Sequence, residues 1–375
     1  MKRWFLFLGI LTVIAFGCQD DEDVIIEPGG PMVGDLEDIP YEPQPYEVQI
    51  PDSFPPMIIP EDNPFTYDGI RLGQHLFYDP ILSRDSSLAC AGCHFPEAGF
   101  TDNRAVSPGI DGIVGTRSSM SLVNIGFENA GLFWDGRVAT LEEQALLPIE
   151  DPIEMHHLWV DVIEDLKVHP TYPEMFRKAF GIDDRSQITK ELAVKAIAQF
   201  ERIIISGNSK FDKVRYDNDP FVDYSSDELA GFQMFFDEGF GLPDAQCFHC
   251  HNAPLFTVED FFNNGLQNAP DLNSFPDPGR GAVTGSVIDN GKFRPTTLRN
   301  ITLTAPYMHN GSLQTIEDVI DFYSDDVHYA DNLDVNLNAP LGLTEEERDQ
   351  VIAFLETLVD TSYLDNPLIR NPFKE

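Results

Sequence analysis

The chain has 375 residues, with 63 Asp and Glu against 24 Lys and Arg and a formal net charge of -39. So acidic a surface argues against a nucleic-acid partner, because phosphate recognition needs clustered cations, and it leaves open the steering of a basic protein. The length beyond the first 62 residues is enough for two domains of ordinary size.

Lys2 and Arg3 precede an apolar run from Trp4 to Phe16, which is 13 residues long and short of the ~20 that span a bilayer. Residues 1–18 therefore read as a signal peptide. The run ends in Ala15-Phe16-Gly17-Cys18, similar to a bacterial lipoprotein cleavage site, which predicts a membrane anchor through a lipid on Cys18. The acidic run Asp20-Asp21-Glu22-Asp23 is similar to a sorting tag of surface lipoproteins, and a solvated linker would look the same. Residues 19–62 hold 13 Asp or Glu, no Lys or Arg, and many prolines. That composition predicts an extended tether. The location expected is extracytoplasmic and lipid-anchored, facing the periplasm or on the outer-membrane surface.

Beyond the tether, two domains are expected, 63–222 and 223–375. In the first, Leu72, Leu76 and Phe77 predict a helix that Pro80 stops. Cys90-Ala-Gly-Cys93-His94 follows, and Cys247-Phe-His-Cys250-His251 repeats the pattern 157 residues on. Cys-x-x-Cys-His is the spacing that attaches a c-type haem: two thiols bind one porphyrin edge and the adjacent histidine reaches the iron. A zinc site would bring its second cysteine pair within about 15 to 20 residues, so two haems are expected. Leu192, Ala196, Phe200 and Ile203 predict a longer amphipathic helix. Ser225-x-x-Glu228 is a capping box opening a helix with Leu229, Phe232 and Phe236 on one face, ending at Gly239. Thr344-x-x-Glu347 opens a closing helix with Val351, Phe354, Leu355 and Leu358 inward. The fold class is mainly α, two cytochrome c-like domains with one covalent haem each.

Phe133-Trp134-Asp135-Gly136-Arg137, Leu141-Glu-Glu-Gln144-Ala145, Asp151-Pro-Ile-Glu154-Met155, Leu298-Arg-Asn300 and Thr304-Ala-Pro-Tyr-Met-His-Asn-Gly311 together resemble the bacterial di-haem cytochrome c peroxidase family. The resemblance runs from about Asn63 to Leu358. It implies that His94 is the proximal ligand of the peroxidatic haem, that Gln144 and Glu154 line its distal pocket, that Trp134 lies between the haems, and that His251 ligates the electron-transfer haem. The chemistry asks for these residue types independently. Peroxide reduction needs an open iron position and a group that moves a proton between two oxygens, which Glu154 can do, with Gln144 orienting and Trp134 carrying an electron.

Two departures stand out. Many relatives hold a histidine on the resting peroxidatic iron, yet no His occurs between His94 and His156, so that iron is expected open unless His156 or His157 folds in. At the position of the second haem's methionine stands Tyr323, seven residues after Ile316 and four after Val319, on the inward face of a short helix. Tyrosine there is similar to the MauG-type di-haem enzymes. Its phenolate would lower that haem's potential; Met308 is the rival ligand, and a buried hydrogen-bonded tyrosine is the structural alternative. The resemblance also implies calcium between the haems, held by the Thr304 and Pro306 carbonyls with Ser118 replacing an asparagine, a shorter donor. The activity implied is reduction of hydrogen peroxide with electrons from a small redox protein, a cytochrome c or a cupredoxin. The alternatives are a MauG-like oxidase of a protein or small molecule and a non-enzymatic electron-transfer cytochrome. A homodimer is left open.

Overall fold

A computed structural model describes residues 34–374; the expected signal peptide, Cys18 and the acidic run after it lie outside these. The described chain is mainly helical, and its β pairing is limited to isolated bridges. In chain order the helices are α1 (Tyr67–Tyr78), α2 (Leu141–Glu150), α3 (Trp159–Val168), α4 (Tyr172–Phe180), α5 (Lys190–Arg202), α6 (Lys210–Arg215), α7 (Ser226–Phe235), α8 (Arg280–Thr284), α9 (Ile316–Asp321) and α10 (Glu345–Glu356).

One packing device occurs twice. In the first half α1 crosses α5 at Gly73, where an added Cβ would lie 1.9 Å from the Ala196 carbonyl oxygen. Phe77 and Phe200, both fully buried, then meet with ring centroids 4.8 Å apart. In the second half α7 crosses α10 at Gly231, where a Cβ would lie 1.8 Å from the Gln350 carbonyl oxygen, and Phe235 meets Phe354 at 5.1 Å. Each phenylalanine contributes about 1.5–3 kcal/mol by leaving water, and the missing Cβ is what lets the backbones close to that distance.

The capping boxes form as the sequence requires. Ser225 Oγ accepts from the Glu228 amide at 3.2 Å and the Glu228 carboxylate accepts from the Ser225 amide at 2.6 Å. Thr344 and Glu347 repeat the exchange. The helix opened by Ser225 stops at Phe235, before Gly239, and its buried face differs from expectation. Contact at Gly231 turns Phe232, Met234 and Phe235 inward, leaving Leu229 44% exposed.

The expected tether also differs where the structure describes it, from residue 34. Leu36 is buried in the core beneath α3, α4 and α5, while Phe54 and Met57 enter the core shared with α1 and Phe127. Arg185 pairs with Asp35 at 2.5 Å, and the Tyr46 and Tyr67 amides bond the Phe65 and Gln44 carbonyls. A few well-placed apolar side chains suffice to fasten an acidic, proline-rich segment.

The two expected domains share material at both edges. Phe211 of α6 packs on Phe256 and Phe354, so the second core draws on residues before 222. After α10 the chain returns to the first half. Gln74 donates to the Pro367 and Arg370 carbonyls, Tyr78 to Ile369, and Tyr363 to Pro96. Between the halves, Arg299 is wholly buried and binds Asp212 through two 2.8 Å bonds.

Candidate haem sites and active site

Each Cys-x-x-Cys-His turn is a single 3-10 turn, Cys90–Gly92 or Cys247–His249, with the histidine amide bonded to the first cysteine's carbonyl at 3.0 Å. This geometry puts both thiols and the imidazole on one side of the turn. His94 Nδ1 donates to the Phe100 carbonyl at 2.8 Å, and His251 Nδ1 to the Phe256 carbonyl at 3.2 Å. Phe100 and Phe256 both have positive φ, 59° and 55°, which turns their carbonyls back toward the imidazoles. Nε2 of each ring is thereby left to face a metal. Burial holds both imidazoles neutral, pushing His251 down to about 4 and His94 below its ordinary value. It also pushes the thiols up, Cys93 to about 11 and Cys247 and Cys250 to about 12.

Two cavities open over these turns, with empty volumes of about 1380 and 1480 Å³ including their mouths. The first contains Cys90, Cys93, His94, Gln144 and Glu154; the second contains Cys247, Cys250, His251, Met308 and Tyr323. Trp134 lines both, its Nε1 donating to the Ser118 carbonyl at 3.0 Å. Paired thiols, a neutral imidazole with a free Nε2 and a largely apolar cavity beside them fit a c-type haem in each place.

Glu154 sits just past α2, where Asp151 ends the helix and the chain doubles back, the Met155 amide bonding the Pro148 carbonyl at 3.1 Å. The Ile110 amide holds the Glu154 carbonyl at 2.9 Å. This approach requires Gly109, whose Cβ would lie 2.2 Å from the Ile153 carbonyl oxygen and 2.5 Å from that of Glu154. Burial, reinforced by Asp151 and opposed by Arg137, pushes the Glu154 carboxyl up to about 7. Such a group both accepts and releases a proton near neutrality.

His156 and His157 do not line the first cavity. His156 is tied outward by Asp111, whose carboxylate lies 2.6 Å from its Nδ1 and also accepts from Arg84 at 2.6 Å. His157 is buried elsewhere, 3.9 Å from Asp165.

In the second cavity α9 continues into a π turn, Phe322–Asp326, that carries Tyr323. The Asn264 amide donates to the Tyr323 hydroxyl at 3.1 Å and approaches the Met308 sulfur at 3.4 Å, so both candidate ligands converge on one side chain. Ser118, Thr304 and Pro306 line this cavity too. The Ser118 hydroxyl is spent on the Met308 carbonyl at 3.0 Å, and Asn103 caps the Leu303 and Ala305 carbonyls beside Thr304 and Pro306.

Sequence reasoning missed several residues. Phe100 and Phe256 act through backbone carbonyls, and the signal available was a repeat: each haem motif is followed by Phe-Thr, Phe100-Thr101 and Phe256-Thr257. Glu201 of α5 lines the first cavity, 4% exposed, with one oxygen lacking any partner and its carboxyl pushed up to about 8 by burial. Arg294 lines both cavities. No motif announces either.

The helical fold and the paired Cys-x-x-Cys-His cavities define a di-haem c-type protein. Residues 67–219 match the family model described as di-haem cytochrome c peroxidase. The chain is 33% identical over 347 residues to the cytochrome-c peroxidase IdrP1 of Denitromonas iodatirespirans, covering 85% of this chain and 89% of that one. It is 33% identical over 299 residues to the methylamine utilization protein MauG of Methylorubrum extorquens, covering 80% of each. A crystal structure of a MauG-like protein associated with microbial copper homeostasis superimposes with TM-score 0.79 and 31% identity, covering 88% of this chain and 100% of that one. The chain belongs to the di-haem cytochrome c peroxidase family and is a peroxidase-like oxidoreductase.

Proposed function

We propose that this protein reduces hydrogen peroxide to water outside the cytoplasm, taking electrons one at a time from a small redox protein. The observation that carries the reading is Glu154, half-buried and lining with Gln144 the cavity over Cys90, Cys93 and His94, with its carboxyl raised to about 7. We read the two halves as cytochrome c-like domains. Cys90, Cys93 and His94 would hold a haem that supplies the iron site and one of the two electrons for O–O cleavage; Cys247, Cys250 and His251 would hold one that receives electrons from the donor and supplies the other.

The chain's own part is proton handling and positioning. Peroxide, two electrons and two protons give two waters. The Glu154 carboxylate takes a proton from the near oxygen and delivers it to the departing one, whose exit as hydroxide would otherwise be costly. Gln144 offers an amide that orients peroxide without competing as a base. Trp134, in the wall common to both cavities, is the aromatic route for the second electron. The acidic surface favours a basic cytochrome c or a cupredoxin with a basic face, and a lipid on Cys18 would hold the enzyme at a membrane. Steady-state peroxide turnover with such donors tests the reading; absence of turnover with both haems in place refutes it.

Tyr323 favours a second reading, a MauG-like oxidase of a protein or small molecule. A phenolate on the second haem, its oxygen held by Asn264, would make that haem a poorer acceptor and lengthen the life of the oxidised state. A pure electron carrier has no use for a half-buried carboxyl at an open cavity, which weighs against the non-enzymatic alternative.

A further inference from the structure

Arg294 is 3% exposed and lines both cavities. Its backbone amide donates to the Trp134 carbonyl at 2.9 Å, fixing it to the wall between them. Its ionic partner, Glu128, reaches Nη1, and Nε has no hydrogen-bond acceptor. Glu128 is itself a weak counter-charge, since burial pushes its carboxyl up despite the guanidinium beside it. A buried guanidinium with an unspent N–H is left incompletely satisfied unless a further acceptor completes it. The anionic groups a haem brings are its two propionates, and carboxylates match the fork of an arginine.

We propose that Arg294 is a shared anchor for the propionate edges of both haems, one buried cation spanning the wall that Trp134 also occupies. The proposal rests on the two-haem reading above. Arg294 is a positioning residue: it fixes how each haem edge meets Trp134 and adds a positive charge that favours the reduced state of both irons. Its removal should lower both potentials together, an effect that a purely structural role for Arg294 does not predict.

The test is potentiometric titration of both haems, followed optically, in the wild-type holoprotein and in Arg294→Gln and Arg294→Lys. The Gln variant keeps much of the length and loses the charge; Lys keeps the charge and loses the fork. Arg294→Gln should shift the reduction equilibrium of each haem on the order of tenfold toward the oxidised form, ~59 mV for one electron. Arg294→Lys should retain most of both potentials. If Arg294→Gln cannot hold haem, Arg294→Lys with both haems near wild-type potential supports the anchor. The proposal is overturned if Gln moves neither potential, if it moves only one, or if Lys changes both as much as Gln. Absence of covalent haem from the wild type would instead sink the two-haem reading itself.

Discussion

The pH dependence of peroxide turnover should be written by Glu154. Its displacement from 4.5 to about 7 corresponds to roughly 3 kcal/mol of preference for the neutral acid, produced first by burial, then by Asp151, and opposed by Arg137. Because the carboxylate is the form that accepts the peroxide proton, kcat/KM for peroxide should rise as pH increases through about 7. Asp151→Asn removes a like charge while its amide oxygen can still accept from the Ile153 amide, as Asp151 does at 2.9 Å. The midpoint should fall by roughly half a pH unit. Arg137→Gln, which removes the opposing cation, should raise it. Glu154→Gln should abolish the limb and cost on the order of 10²-fold or more in turnover with both haems retained. The assay is initial-rate peroxide reduction from pH 5 to 9 at saturating donor. A limb that survives Glu154→Gln, or one that Asp151→Asn leaves unmoved, would refute the assignment of the proton to this carboxyl.

Other expectations follow from neighbouring features. With His156 held by Asp111, the fully oxidised protein should react with peroxide without pre-reduction and show one high-spin ferric haem; a wholly low-spin, inert oxidised form would contradict this. Tyr323→Met should raise the second haem's potential by exchanging an anionic donor for a thioether, and identical redox titrations would point to Met308 instead. Gly109→Ala should push the Ile153–Glu154 carbonyls away and lower kcat while haem staining is unchanged; full activity would show that the loop yields freely. Glu201, raised from 4.5 to about 8, disfavours the folded state increasingly as pH rises across that interval, because the unfolded chain ionises first. The melting temperature of Glu201→Gln holoprotein should therefore exceed that of wild type by several degrees at pH 8 and converge with it near pH 5, and a pH-independent difference would argue against a buried titrating acid.

Local rules carried much of the architecture. Thr344 with Glu347 and Ser225 with Glu228 announce their helices because a hydroxyl and a carboxylate three apart satisfy the same free amides wherever they occur. The buried face of α7 was not legible, since it depends on where Gly231 meets Gln350 on a distant helix. Segment 34–62 misled because composition averages hide Leu36, Phe54 and Met57 among acids and prolines, while burial is decided side chain by side chain. The haem-attachment turns were written in five consecutive residues each. The gathering of Gln144 and Glu154 in one cavity depends on α2 and its doubling back, and the sequence points to that pair only through family resemblance. Arg294 and Glu201 gave no signal because an arginine or a glutamate in sequence does not reveal whether its partner is water, a counter-ion or nothing.

The returning tail gives the protein an order of manufacture. Tyr363 packs against Phe100 with ring centroids 6.0 Å apart, and the Phe100 carbonyl is the acceptor that orients His94. The first Cys-x-x-Cys-His turn is therefore synthesised long before the residues that brace it, with the entire second half lying between them in sequence. Gln74 and Tyr78, on the helix that carries Phe77 into the first cavity, find their acceptors only in the carbonyls of Pro367, Ile369 and Arg370. Residues 363–370 thus complete the setting of a turn that lies far earlier in the sequence. A protein lacking those residues would be expected to acquire its haems and then hold the first one loosely.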